Sequence, residues 1–247
     1  MDVKLSNGVR VGDEPLVAGV ISTLGTLDLM ANAETPPPCD LIELRLGEIE
    51  LKNDRWLPRA QKLRDAGTPV LITVRNKAEG GTWDDDDEER LRLFNLGLCD
   101  FSLVDVELNS RHLYRVIERA QDVGKPIIVS YHDFDGTPDM DFLNRLADQV
   151  ADYPAAILKI AAKANGKDDV TRLEQFLRQR HSFPLCVLAM GEQWRETRIT
   201  FPLLGSCLTY GYLDKPSAPG QHSCAELSRL LKGEPGEDPE GPMEVDR

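Results

Sequence analysis

One lysine interrupts the apolar run Ala155-Ala156-Ile157-Leu158-Lys159-Ile160-Ala161-Ala162. A short apolar run bounded by turn residues reads as a buried strand. Burying an ammonium is costly, so desolvation favours the neutral amine, the form that attacks a carbonyl. Read alone, Lys159 is a strand-end lysine whose ammonium snorkels to water. Its company argues otherwise. Side chains alternate across a strand, and four other apolar runs each carry polar residues on one side only. Glu43 and Arg45 oppose Ile42, Leu44 and Leu46, while Thr73 and Arg75 oppose Val70, Ile72 and Val74. Asp105 and Glu107 oppose Val104 and Val106, while Ser130 and His132 oppose Ile127 and Val129. A lysine can condense with a ketone to give an iminium, an electron sink that makes a proton on the next carbon removable. A histidine can take that proton and return it to a departing hydroxyl. Arg45, Arg75 and Arg198 offer planar forks for a carboxylate. The set suits proton abstraction and elimination beside a ketone in a small anionic substrate. A buried ion network without function is the plainer alternative.

The elements that must position these residues follow one theme, a short apolar run and then a longer amphipathic segment. Strand-like runs fall at 16–22, 40–46, 69–75, 101–108, 126–132, 155–161, 184–190 and 206–210, with helical segments near 53–66, 84–97, 110–123, 138–151 and 167–180. Alternation without a composition break predicts a single (β/α)8 TIM barrel, whose active site lies at the C-terminal ends of the strands. The charged residues lie mostly near those ends. A doubly wound sheet is the runner-up, but 16–27 lacks the Gly-rich turn of a dinucleotide-binding version. Before the first run, Val3 and Leu5 precede Asn7-Gly8, and Val9 and Val11 follow it, which predicts an N-terminal β-hairpin that plugs one end of the barrel. The acidic run 84–89 reads as a solvated first helical turn. The expected division is a catalytic barrel over 1–232 and a disordered acidic tail, rich in Gly, Pro and Glu, over 233–247.

Length and charge bound the function. The chain has 247 residues and a formal net charge of -13, which argues against nucleic acid or an anionic membrane as partner. No apolar run approaches the ~18 residues of a membrane span, and no signal peptide opens the chain. The five cysteines show no metal-ligand spacing and read as small core residues of a reduced, cytoplasmic protein.

With these residues in place, the chain resembles the type I 3-dehydroquinate dehydratase family. Glu43-Leu44-Arg45 resembles its Glu-x-Arg strand, and Thr73-Val74-Arg75 with Glu79-Gly80-Gly81 its Thr-x-Arg and Glu-Gly-Gly segment. Asp105-Val106-Glu107 is similar to its acidic fourth strand, Ser130-Tyr131-His132-Asp133-Phe134 with Thr137-Pro138 to its histidine segment, and Leu158-Lys159-Ile160 to its Schiff-base strand. Met190-Gly191, Thr197-Arg198-Ile199, Gly205-Ser206 and Ser217-Ala218-Pro219-Gly220-Gln221 resemble its closing motifs. Each motif is weak alone, but their order and spacing together are specific. Three positions depart from the pattern: Gly47 where aspartate is common, Trp194 where glycine is common, and Thr197 where serine is common. The resemblance implies a shikimate-pathway lyase that dehydrates 3-dehydroquinate to 3-dehydroshikimate. It implies Lys159 as the Schiff-base residue and His132 as acid/base, oriented by Glu79. Glu43, Arg45, Arg75 and Arg198 would bind substrate, with Ser217 and Gln221 on a loop closing over the site. It implies no metal and no cofactor, and members are often homodimers.

Other residues read more plainly. His112 reads as a surface residue at a helix start, His181 as a helix-end cation, and His222 as the start of the last helix. Lys163 and Lys167 flank a glycine-containing loop and read as solvated. An aldolase-type Schiff-base enzyme is the second functional reading, against which the three arginines and the 217–221 segment argue. A non-catalytic homologue is the third, against which the intact Lys159 and His132 argue.

Overall fold

The computed structural model describes residues 3–49, 51, 54–84, 88–179, 181–216 and 220–234. Eight parallel strands form one sheet: β1 (Leu16–Ile21), β2 (Leu41–Arg45), β3 (Val70–Thr73), β4 (Leu103–Glu107), β5 (Ile127–Asp133), β6 (Ala156–Lys163), β7 (Leu185–Met190) and β8 (Leu208–Tyr212). The hydrogen-bonded order is β7-β6-β5-β4-β3-β2-β1-β8. The seam between β7 and β8 is closed by the Cys207 N–H on the Leu185 carbonyl (2.7 Å) and the Val187 N–H on the Ser206 hydroxyl (2.9 Å).

Helices follow the strands in turn: α1 (Leu24–Asn32), α2 (Leu57–Asp65), α3 (Glu88–Asp100), α4 (Leu113–Val123), α5 (Met140–Ala151), α6 (Lys167–Leu177), α7 (Thr197–Leu203) and α8 (Cys224–Leu231). The product is the TIM-barrel architecture that the repeated apolar runs predict. The helices bury stripes at helical spacing, such as Leu113, Val116, Ile117 and Ala120 of α4. Side-chain caps start several of them; Asp139 accepts the Phe142 N–H at 2.7 Å before α5. Two helices escape the sequence reading. The buried face of α1 includes Thr26, which breaks its apolar stripe. α7 is a seven-residue helix holding Thr197, Ile199, Thr200 and Pro202, types that disfavour a helix interior.

One histidine corrects the sequence reading. His112 is buried rather than exposed, because the turn into α4 folds it under Ser110, whose hydroxyl accepts its N–H at 3.2 Å. His222 is also buried and precedes α8, which is capped by Ser223.

The strands divide their side chains as alternation requires. One face, including Ile42, Leu44, Ile72, Val104, Val129, Leu158 and Ile160, packs under the helices. The other face fills the lumen. At the N-terminal end this filling is apolar, with Leu16, Leu41, Leu71, Leu103, Ile128 and Ile157 in one cluster. Val3, Leu5 and Val11 join that cluster from the N-terminal hairpin, whose strands meet through the Lys4–Arg10 bridge. The hairpin thus stops the lower end of the barrel, and the lumen turns polar only above it. Residues 235–247 of the expected tail and 85–87 of the acidic run lie outside the described residues. Among the described residues no helix is long and apolar enough to cross a membrane.

Candidate active site

Lys159 rises from the middle of β6 into the lumen and is 5 % exposed. The sequence surrounds it with apolar neighbours, but the fold surrounds its amine with charge. Nζ donates to Asp105 Oδ2 at 2.9 Å and lies 3.8 Å from Glu43 Oε1. It also sits 4.4 Å from the centroid of the Tyr210 ring. The polar company expected of Lys159 is met: β2 and β4 supply carboxylates to it across the lumen.

Asp105 is the hub of these contacts. Its Oδ2 pairs with Arg75 at 2.7 Å and its Oδ1 accepts from the Ser130 hydroxyl at 2.6 Å. Burial alone would raise the Asp105 carboxyl, but Arg75 and Lys159 outweigh it and hold it well below the usual carboxylate range. Arg75 spends its other fork on the Ser130 hydroxyl (2.6 Å) and Glu107 (3.2 Å). Burial opposes the Arg75 cation, yet Asp105 and Glu107 raise it further. Glu107 is anchored from behind by Arg90 of α3, which also donates to the Val74 carbonyl at 2.7 and 2.9 Å. Arg90, directly after the acidic run read as a solvated first turn, is fully buried. The signal was present: Arg90, Phe94 and Gly97 lie in one buried helical stripe.

The second centre is the pair Glu79–His132. His132 ends the polar side of β5, and its Nδ1 lies 2.9 Å from Glu79 Oε2, which also accepts the His132 main-chain N–H at 3.0 Å. Glu79 sits in a single helical turn after β3, tied by the Asn76 N–H to Glu107 at 2.9 Å. Gly81 lets that turn fold back, since a Cβ there would lie 2.0 Å from the Arg75 carbonyl oxygen. Burial pushes the Glu79 carboxyl up to about 7, with Glu107 and Asp105 adding to it and Arg75 opposing. Burial, with Arg75 and Lys159 next, holds the His132 imidazole well below its ordinary value. The ring is thus held as a neutral base, with Nδ1 committed to Glu79 and Nε2 without a hydrogen-bond partner among the described residues. Phe134 stacks on it at 6.5 Å, with ring planes 14° apart.

These groups line one cavity of about 420 Å³ at the C-terminal mouth. Glu43, Arg45, Arg75, Glu79, His132, Lys159, Arg198 and Gln221 all border it, so eight of the nine candidate residues converge there. Ser217, the ninth, lies outside the described residues. A larger groove of about 620 Å³, bordered by Asp13, Asp40 and Lys232, opens near the N-terminal ends of β1 and β8 and gathers none of them. Arg45 pairs with Glu48 at 2.8 Å, and its Nε is buried without a partner. Arg198 donates to the Tyr210 carbonyl at 3.3 Å and meets no carboxylate among the described residues. Burial lowers its hold on the proton. A half-satisfied guanidinium on the wall of a cavity is a place for an anionic group. Among the described residues no cluster of His, Cys, Asp and Glu is arranged to hold a metal ion. Lys163 is exposed on the rim, and Met190 borders the cavity.

The departures have local causes. Gly47 has a φ of +102°, and a Cβ would lie 2.8 Å from Thr82 Oγ1 and 3.3 Å from the Trp83 ring. Trp194 donates from Nε1 to the Ala164 carbonyl at 2.7 Å, joining the loops after β6 and β7, and Thr197 caps that turn by donating to the Trp194 carbonyl at 2.7 Å.

The chain is 35% identical to the 3-dehydroquinate dehydratase of Methanocella arvoryzae over 173 residues, 68% of this chain and 75% of that one. It is 29% identical to the enzyme of that name from Methanothrix thermoacetophila over 230 residues, 92% and 94% of the two chains. The crystal structure of 3-dehydroquinate dehydratase from Geobacillus kaustophilus superposes with a TM-score of 0.82 at 27% identity, covering 94% of this chain and 95% of that one. The sequence model described as Type I 3-dehydroquinase matches residues 21–235. Barrel, converging charges and full-length similarity lead to one assignment: the chain belongs to the type I 3-dehydroquinase family of enzymes.

Proposed function

We propose that this enzyme removes water from 3-dehydroquinate to give 3-dehydroshikimate, through a Schiff base on Lys159 with His132 as acid and base. The observation that carries the reading is the convergence of a buried lysine, a histidine paired with Glu79, and guanidinium groups on one cavity. The catalytic unit is the barrel, residues 1–232.

The substrate carboxylate is received by Arg198 and Arg45, whose forks are the least engaged. Arg75 acts mainly by holding Asp105, since its nitrogens are already bonded within the protein. Glu43, Ser217 and Gln221 complete the substrate contacts. The Lys159 lone pair bonds to the ketone carbon, the carbonyl oxygen takes up protons and leaves as water, and nitrogen becomes an iminium. The neighbouring carbon is then acidified, and His132 Nε2 takes its proton. Glu79 opposite Nδ1 keeps the imidazole in the right tautomer and steadies the imidazolium. His132 returns the proton to the departing hydroxyl, and water hydrolyses the product iminium to free the amine.

Borohydride tests this directly, because it reduces an iminium to a stable secondary amine. Inactivation is expected only with substrate or product present, with the adduct mapping to Lys159 and not to Lys163 or Lys167. Lys159→Ala should give neither adduct nor the conjugated enone. Folded protein that is not trapped by any ketone overturns the Schiff-base reading, and trapping by other ketones but not by 3-dehydroquinate overturns the substrate.

A further inference from the structure

Tyr210 is the aromatic wall against which the reacting nitrogen rests. It comes from β8, faces the lumen opposite Ala18, and is 5 % exposed. Its ring centroid is 4.4 Å from Lys159 Nζ, and its main-chain carbonyl accepts from Arg198 at 3.3 Å. Its hydroxyl is buried and has no hydrogen-bond partner among the described residues. A buried hydroxyl without a partner lowers stability, so phenylalanine would suit the hydroxyl's surroundings better. The ring, in contrast, is aimed where a positive charge resides.

We propose that Tyr210 is a positioning residue for Lys159, its π face holding the nitrogen whenever that nitrogen is cationic. The proposal rests on the Schiff-base reading. Two cations pass that face: the ammonium before reaction, and the iminium after the lone pair has bonded to the ketone carbon and the oxygen has left as water. The neutral amine and the neutral carbinolamine between them gain nothing from the ring. The ring therefore favours the iminium over the carbinolamine and keeps Nζ from swinging away between cycles. Cation–π attraction in a desolvated site corresponds to about 5–30-fold in such an equilibrium.

The test compares Tyr210→Phe, which keeps the ring, with Tyr210→Leu, which removes it. Borohydride trapping with 3-dehydroquinate is measured against pH, along with turnover and melting temperature. In Tyr210→Leu, trapping should fall about 5–30-fold at high pH. The deficit should shrink at low pH, where the starting ammonium loses the same support, so the midpoint of the profile moves down. Tyr210→Phe should keep the wild-type midpoint and melt at a higher temperature. A merely structural effect would lower trapping equally at every pH. Fluorinated phenylalanines at position 210, which keep the volume and weaken the π face, should lower trapping stepwise. They also decide the matter if the leucine variant does not fold. Wild-type trapping and midpoint in Tyr210→Leu, or no decline across the fluorinated series, overturns the proposal alone. A loss in Tyr210→Phe equal to that in Tyr210→Leu assigns the effect to the hydroxyl and also overturns it. Wild-type protein that is never trapped removes the Schiff-base reading and this proposal together.

Discussion

Replacing Glu79 with glutamine tests the second centre through two quantities that move in opposite directions. Glu79 titrates at about 7 in the fold against an ordinary value of 4.5. A folded value raised above the unfolded one means that the fold prefers the neutral acid. The associated stability is complete below 4.5, drains away as pH rises toward 7, and is absent above it. The difference corresponds to about 3 kcal/mol. Glutamine keeps the shape and never ionises. Glu79→Gln should therefore gain on the wild type by up to about 3 kcal/mol between pH 4.5 and 7.5, or roughly 6–12 °C in melting temperature for a domain of this size. Turnover should fall at the same time. The glutamine oxygen can still accept from the His132 N–H and Nδ1–H, but it lacks the charge that steadies the imidazolium. A charge-assisted hydrogen bond contributes about 1.5–3 kcal/mol, or roughly 10–150-fold in kcat. Thermal melts of both proteins at several pH values, with steady-state kinetics at pH 7.5, measure both effects. A melting difference that stays flat across this window, or undiminished turnover, refutes the electrostatic account of Glu79.

Two further expectations follow from the same geometry. His132→Ala should lose about 10²–10⁴-fold in turnover while borohydride trapping at Lys159 persists, because attack by the amine precedes proton abstraction; near-normal turnover would remove His132 from the reaction. Gly47→Asp, which installs the residue common in the family, should cost about 1–3 kcal/mol by urea denaturation, since φ is +102° and Thr82 Oγ1 would lie 2.8 Å from the new Cβ; a variant as stable as wild type would mean that the turn yields freely.

The barrel was legible because its strands are continuous apolar runs set off by Pro, Gly and charged turns, and because period-two alternation exposes one polar side. That alternation also located Glu43, Arg45, Arg75, Glu107, His132 and Lys159 before any geometry was known, with Asp105 read only as a member of the polar side of its strand. It did not show who meets whom. Lys159 pairs in register with Ser130, which sits beside Glu107 on β4, so its approach to Asp105 follows from the stagger of strands around the lumen. Tyr210 was read only as the end of a strand, since an aromatic there looks like filling. Arg90 was hidden by the acidic residues before it, which mark a helix start but say nothing of which face is buried. α1 and α7 were lost because Thr26 and Pro202 interrupt the patterns that announce a helix.

The hairpin stopper has a consequence for traffic. With Val3, Leu5 and Val11 packed into the lower lumen, the described residues leave the reaction chamber its doorway at the C-terminal mouth. Substrate and product use that doorway in turn. Under the proposed chemistry, forming the iminium expels one water, elimination expels a second, and releasing the product consumes one. The last of these must reach the lysine while product still stands between it and the exit. Under that chemistry, a ligand that fills the mouth after forming its iminium would keep this water out and stay attached.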